Sequence, residues 1–339
     1  MAEGFCSMQK DVLVVKTSKG SSFLSRMIIL VVAMALGIYI CSVCIKQISD
    51  QTRTFVQIIG NPCDSYQFSL CDSSFLHYPQ PQTFRRAECA DNPVQYFAII
   101  SVQRSGSGWF ETLLNSHVNV SSNGEIFSVK DRRSNISSIV GTLDRVYSLD
   151  WISSASKNEC SAAVGFKWML NQGLMQHPEE LSEYFNAKGV SLIFLFRRNL
   201  LRRMVSLLAN SYDSQAKLLN GKHKSHVHTH EEAEKLSTYK PFINQTTLIS
   251  QLRQMESVSA KALESFNNTR HLVLYYEDLV RNHTKLVDVQ DFLGLPRMKL
   301  TSRHVKIHKG SLHNHITNWE EVNRTLQGTA YESFLHDDY

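Results

Sequence analysis

Four short apolar runs, separated by stretches of helical period, limit what this chain of 339 residues can fold into. They are Val94 to Val102, Ala162 to Leu170, Ser191 to Phe196 and Leu272 to Tyr276. None sustains an apolar–polar alternation, so each reads as a strand buried on both faces, the situation of a parallel sheet covered by helices. Between the last two, Leu248, Ile249, Leu252, Met255, Val258, Ala262, Leu263 and Phe266 share one helical face, with Thr246 or Thr247 placed to cap its start. Strand and helix in alternation imply an α/β body: a central parallel sheet flanked by helices and joined by right-handed crossovers. Self-similarity at a period of about 20 to 50 residues is missing, which removes solenoids and propellers.

Ahead of that body, the nineteen residues Met27 to Ile45 hold no charge, no proline and one glycine. As a helix they would extend about 28 Å, close to the thickness of a bilayer core. A cleaved leader would start nearer residue 1 and end at small residues, whereas this run ends in Cys41, Cys44 and Ile45. The expectation is an uncleaved signal anchor. Lys10, Lys16, Lys19 and Arg26 precede it and Lys46 and Arg53 follow, which keeps the amino end cytosolic. The expected division is a cytosolic tail (1–26), a transmembrane helix (27–45), a polar, proline-bearing lumenal stem (46–92) and a catalytic body (93–339).

Residues 1–46 carry five bases and two acids, so removing them from the totals of 36 and 31 leaves 31 against 29. The body is nearly neutral, and the net charge of +5 does not argue for nucleic acid. Asn-X-Ser/Thr sites at Asn119, Asn135, Asn244, Asn267, Asn282 and Asn323 fit a glycosylated protein of the secretory lumen. Cys63, Cys71, Cys89 and Cys160 form an even set that an oxidising lumen could pair in three ways. They lack both the CxxC pairs and the neighbouring histidines of a zinc site.

Two segments carry chemistry. Arg104-Ser105-Gly106-Ser107-Gly108-Trp109 follows the first apolar run and opens a helix. A strand that ends in such a turn aims backbone N–H groups and the positive end of a helix dipole at one point, a cradle for anionic oxygens. Without a following Gly-Lys-Ser/Thr it is not a magnesium-dependent nucleotide loop, and Glu111 stands where a dinucleotide fingerprint needs its third glycine. The second segment, Arg197-Arg198-Asn199, leaves the third apolar run, with Ser206 eight residues beyond Arg198. An arginine there can fork onto phosphate oxygens; solvated arginines at a helix start fit the same pattern.

In these segments the chain resembles the sulfotransferases that use 3'-phosphoadenosine 5'-phosphosulfate (PAPS), most closely the nodulation-type and Golgi carbohydrate members, whose fold is P-loop-like α/β. Arg104, Ser105, Gly106, Ser107, Gly108 and Trp109 resemble the family's 5'-phosphosulfate loop, with Trp109 similar to the residue that stacks on adenine. A tryptophan opening a helix beside a sheet also fits the core. Arg198-Asn199 with Ser206 resembles the 3'-phosphate site, and Lys309-Gly310 the late loop that closes over the same phosphate. Gly165-Phe166-Lys167 and Tyr276-Glu277-Asp278-Leu279 are similar to further family blocks, so the likeness covers about residues 94 to 335. The chain departs from the family pattern at Gln103 and Leu200, which replace prolines, at Arg104 for lysine, at Gly108 for a hydroxyl residue and at His308 for arginine.

The resemblance implies transfer of a sulfuryl group from PAPS to an acceptor hydroxyl, preferably on a carbohydrate. It needs donor positioning, charge stabilisation by Arg104 and a base, and no metal. Glu125 is the expected base and His117 the second choice; an exposed loop glutamate and a helix-terminal histidine are the plain readings of the two. Lys167 either touches the transferred group or lies at a strand end. Glu277-Asp278 is expected to fix a turn or to pair with a basic residue. The tract Lys222 to His230, with four histidines, is expected to be a solvated loop. Two other readings share parts of this pattern: a non-catalytic nucleotide-binding scaffold on the same fold, suggested by Gln103 and Gly108, and a type II glycosyltransferase, which lacks its Asp-X-Asp here.

Overall fold

The computed structural model describes residues 93–148 and 160–336, together with most of residues 27–39. Met1–Phe68 and Ser69–Tyr339 form separate units. In the first, the described residues from 27 to 39 are helical, and Met27, Leu30, Met34, Leu36 and Tyr39 all expose their side chains. Among the described residues no helix is long and apolar enough to cross a membrane. The rest of the expected anchor, the tail at 1–26 and the stem at 46–92 lie outside the described residues.

The second unit is built on five parallel strands: β1 Gln95–Ser101, β2 Val120–Ser122, β3 Ala163–Met169, β4 Val190–Phe196 and β5 His271–Tyr275, in the order β2-β3-β1-β4-β5. Four of them coincide with the apolar runs to within about a residue at most ends. The fifth, β2, is a three-residue edge strand, too short to give a pattern. The helices are α1 Ser107–Ser116, α2 Ile136–Tyr147, α3 Pro178–Lys188, α4 Leu200–Ala216, α5 His230–Ser237, α6 Gln245–Ser265, α7 Tyr276–Arg281, α8 Lys285–Phe292 and α9 Trp319–Leu326. Asn244, not Thr246 or Thr247, caps α6: its side chain accepts from Thr246 N, because the chain is already helical at both threonines.

The three central strands β3, β1 and β4 are largely apolar because both sheet faces are covered. Phe97 and Ile99 of β1 and Ile193 and Leu195 of β4 pack with α1 and α8 through Phe110, Leu114 and Val289. Ala98, Ile100, Leu192 and Phe194 face the other way, against Phe166, Trp168, Phe127, Leu143 and Phe185. Each fully buried Phe or Ile adds about 1.5–3 kcal/mol. A third cluster joins Leu201 and Met204 of α4 to Leu248 and Leu252 of α6 and Val322 and Leu326 of α9, holding the carboxyl-terminal segment against the sheet's edge helices.

The chain runs from β1 towards β2 on one side and later to β4 on the other. The carboxyl ends of β1 and β4 therefore flank the reversal point, where parallel sheets of this kind bind ligands.

Five of the six glycosylation sequences lie at or near the surface, Asn323 half-buried; Asn119 is buried behind β2 and is withdrawn as an acceptor. Cys160 is engaged in a disulfide; Cys63, Cys71 and Cys89 lie outside the described residues.

Candidate active site

Beyond the carboxyl ends of β1 and β4 lies a cavity of about 400 Å³. Its floor is the turn between β1 and α1. Arg104 and Gly106 take positive φ angles of 64° and 88°. Gly106 could carry no side chain, because a Cβ there would stand 2.3 Å from the Tyr276 ring. Gly106, Ser107, Gly108 and Trp109 line the cavity at the helix start, where the first N–H groups lack intrahelical partners. Ser105 lies inside the turn, fully buried, and its Oγ has no hydrogen-bond partner among the described residues. An orphaned buried hydroxyl beside a helix N-terminus is a donor set that suits anionic oxygens.

Among the described residues Arg104 binds only neutral groups: Nε donates to Ser206 Oγ (2.9 Å), and Nη1 to Asn210 Oδ1 (3.4 Å) and Ser225 O (2.8 Å). Burial, and then the neighbouring Arg197, lowers its pKa to about 10, so it remains cationic at neutral pH. A half-buried guanidinium without a carboxylate is an unmet electrostatic demand that an anion satisfies.

The turn after β4 is braced against this floor. Arg197 Nη1 donates to Arg104 O (3.4 Å) and Arg203 Nε to Gln103 O (2.9 Å). Asn199 caps α4 by accepting from Arg202 N (2.8 Å), and Glu277, buried at the end of β5, accepts from Arg198 N and Asn199 N (3.0 and 3.2 Å). Arg202 Nη2 donates to Gly310 O (2.8 Å), which docks the late loop on α4 and leaves His308 facing the cavity.

On another wall, Glu125 accepts from Gln172 Nε2 (3.1 Å) and pairs with Lys167 (3.1 Å). Lys167 pairs equally with Glu111 of α1 (3.3 Å), whose other oxygen takes Ser122 Oγ and Gly124 N (2.6 and 2.9 Å) and so fixes the loop that carries Glu125.

Of the residues singled out in the sequence, Arg104, Gly106, Ser107, Gly108, Trp109, Glu125 and Ser206 line this one cavity, with Ser105 in the turn beneath. Trp109 also meets Tyr276 edge to face at 5.4 Å and packs on the core, as its core reading expects. Lys167 lies behind Glu125 within β3, opposite Ile99, and not at the strand end. Arg198 does not line the cavity: it forks onto Asp278, Nη2 to Oδ2 at 2.8 Å, and stacks on Tyr275. The cause is register, since Phe196 pairs with Tyr275 and the turns beyond them run side by side. Lys309 and Gly310 also stand off the lining, Lys309 exposed.

His117 is not in the cavity. Its Nε2 donates to Pro296 O (2.8 Å) and its Nδ1 accepts from Asn119 N (3.0 Å), so it ties the end of α1 to a distant loop.

The histidine tract is the exposed loop expected for it, with the exception of Val227. His223 pairs with Asp213 and Lys224 with Glu232 at the surface. Val227, however, is buried with Leu219, Ala233 and Leu236, and its carbonyl accepts from Val305 N (3.0 Å). That anchor turns His226 into the cavity, where its ring stacks on His304 at 4.9 Å. The sequence marks Arg197, Tyr276, His226 and His308 only as members of their segments and gives Glu111 and His304 no site role; the tract's histidine content is the one signal pointing to His226. Among the described residues, no group of acids, histidines or cysteines is placed to hold a metal ion.

Residues 95–329 match the Sulfotransferase domain family. The chain belongs to the sulfotransferases. Nodulation protein H of Rhizobium meliloti is 27% identical over 220 residues, 63% of this chain and 83% of that protein, and its counterpart in strain 1021 is 28% identical over the same span. Among solved structures, the sulfotransferase domain from the curacin biosynthetic pathway is 19% identical, covers 72% of this chain and 89% of its own, and gives a TM-score of 0.34. A mouse sulfotransferase complexed with PAP is 12% identical, with 73% and 78% covered and a TM-score of 0.30. Sulfotransferases move a sulfuryl group, and the matched span includes every wall of the cavity described here.

Proposed function

We propose that this sulfotransferase takes its sulfuryl group from PAPS and passes it to a hydroxyl of a carbohydrate in the lumen of the Golgi. The observation that carries the reading is the shared cavity: an orphaned Ser105 hydroxyl and an uncompensated Arg104 at the helix start, with the Glu125 carboxylate on another wall. PAPS supplies an activated sulfuryl group whose departure leaves charge on a 5'-phosphate.

Ser105, Gly106, Ser107 and Gly108 hold that phosphate with Arg104 beside it. Ser206, hydrogen-bonded to Arg104, stands towards the nucleotide's ribose end. Preorganised donors aimed at developing charge are worth about 10²–10³ in rate each. Glu125, held between Lys167 and Gln172, takes the acceptor's proton. Position 27–45 acts as a single-pass type II anchor; its uncharged run, the disulfide at Cys160 and the exposed Asn135, Asn244, Asn267 and Asn282 all support a lumenal domain.

The test is release of adenosine 3',5'-bisphosphate from PAPS by the purified full chain, with and without candidate sugars. Turnover should require the sugar, and Glu125→Gln should lower it by about 10²–10⁴-fold while nucleotide binding persists. A chain that neither binds nor releases the bisphosphate refutes the reading.

A further inference from the structure

The floor of the cavity has a gap in its own side chains at Gly108, and the space over it is taken by a residue 118 positions later in the chain. Cε1 and Nε2 of His226 lie 2.4 and 2.5 Å from the point where a Cβ on residue 108 would stand. The imidazole edge therefore occupies the place from which a side chain in the first turn of α1 would reach the cavity.

Three features hold it there. Ser225, the preceding residue, accepts through its carbonyl from Arg104 Nη1 (2.8 Å), which registers the histidine loop on the anion cradle. Val227, the following residue, is buried and bonded to Val305. The ring itself stacks on His304, with 18° between planes. Despite this fixing, no described residue hydrogen-bonds to either ring nitrogen of His226, and the ring is open to the cavity.

We propose that His226 supplies the side-chain hydrogen bond that position 108 lacks, its Nε2–H donating to the phosphate held at the start of α1. The inference rests on the nucleotide reading of the cavity. Desolvation inside the cavity, and then the charges of Lys167 and Arg104, hold the imidazole's pKa down to about 4. The ring is thus neutral at pH 7, with one N–H to give, and it places no further positive charge beside Arg104. Gly108 is then not a lesion in the loop but the space the imidazole requires.

The reciprocal substitutions test this. Adenosine 3',5'-bisphosphate binding to the full-length chain in detergent is measured by calorimetry for the wild type, His226→Ala, Gly108→Ser and the double variant. His226→Ala should weaken binding about tenfold or more, the loss of one hydrogen bond to a charged group. Gly108→Ser alone should also weaken it, since its Cβ meets the ring. The double variant should recover to within about threefold of wild type, because a serine hydroxyl now fills the vacated space.

Unchanged affinity in His226→Ala, or a double variant no better than His226→Ala, overturns the role of His226 and leaves the nucleotide reading standing. A wild type that does not bind the bisphosphate removes both.

Discussion

Where β1 leaves the sheet, the protein's cation is held by neutral partners, and where β4 leaves it, by carboxylates. Arg104 spends its guanidinium on Ser206, Asn210 and the Ser225 carbonyl. Arg198 is neutralised by Asp278, and Arg197 lies 3.8 Å from Glu277. The first turn keeps an unmet positive charge and an unpaired hydroxyl pointed at one place, whereas the second has its charges largely satisfied by the fold. The difference teaches that the two ends of the cavity have different work: the β1 turn carries the electrostatics, and the β4 turn carries the scaffold that holds it.

The comparison is broken most directly at Arg104. Arg104→Ala should lower turnover about 10²–10³-fold, and Arg104→Lys should fall between, keeping the charge but losing the fork; single-turnover rates decide. If alanine is nearly as fast as wild type, the β1 turn does not carry the charge.

A smaller effect separates the adjacent arginines. Arg197→Ala should weaken bisphosphate binding about tenfold and Arg198→Ala less than threefold, since only the former lines the cavity. The opposite order in a titration would mean that the Asp278 tie opens on binding and that the β4 turn is a reader after all.

The least effect lies in pH. Burial, then His315 and the charges of Arg104, Arg197 and Arg202, hold His308 down to about 3 from its usual 6.5. An unfolded chain takes up that proton near pH 6.5 and the folded one only near 3, so stability is full above about 6.5 and drains away as pH falls between these limits. Melting curves from pH 7 to 5 should show a decline of a few degrees that His308→Gln reduces; equal slopes would show that the histidine is solvated.

What was legible in the sequence was what the chain does locally. A strand buried on both faces writes itself as an unbroken apolar run, and the cradle at Arg104 to Trp109 is contiguous, so both could be read directly. The sidedness of the β4 turn could not: Arg197 and Arg198 are neighbours on an extended segment, and which of them faces the cavity depends on Asp278 across the sheet. His226 was hidden for the same reason, because Val227 fixes it through contacts with Leu219 and Val305. His117 keeps its plain reading as the residue that ends α1, but its tie to Pro296, 179 positions away, is a contact the sequence does not carry.

Lys167 sits between a carboxylate on α1 and one on the loop after β2. Through that single ammonium, the helix that opens the anion cradle and the wall that carries Glu125 are clamped into one rigid caliper. The gap between its jaws is then set by the polypeptide, and an acceptor has to fit that gap rather than adjust it.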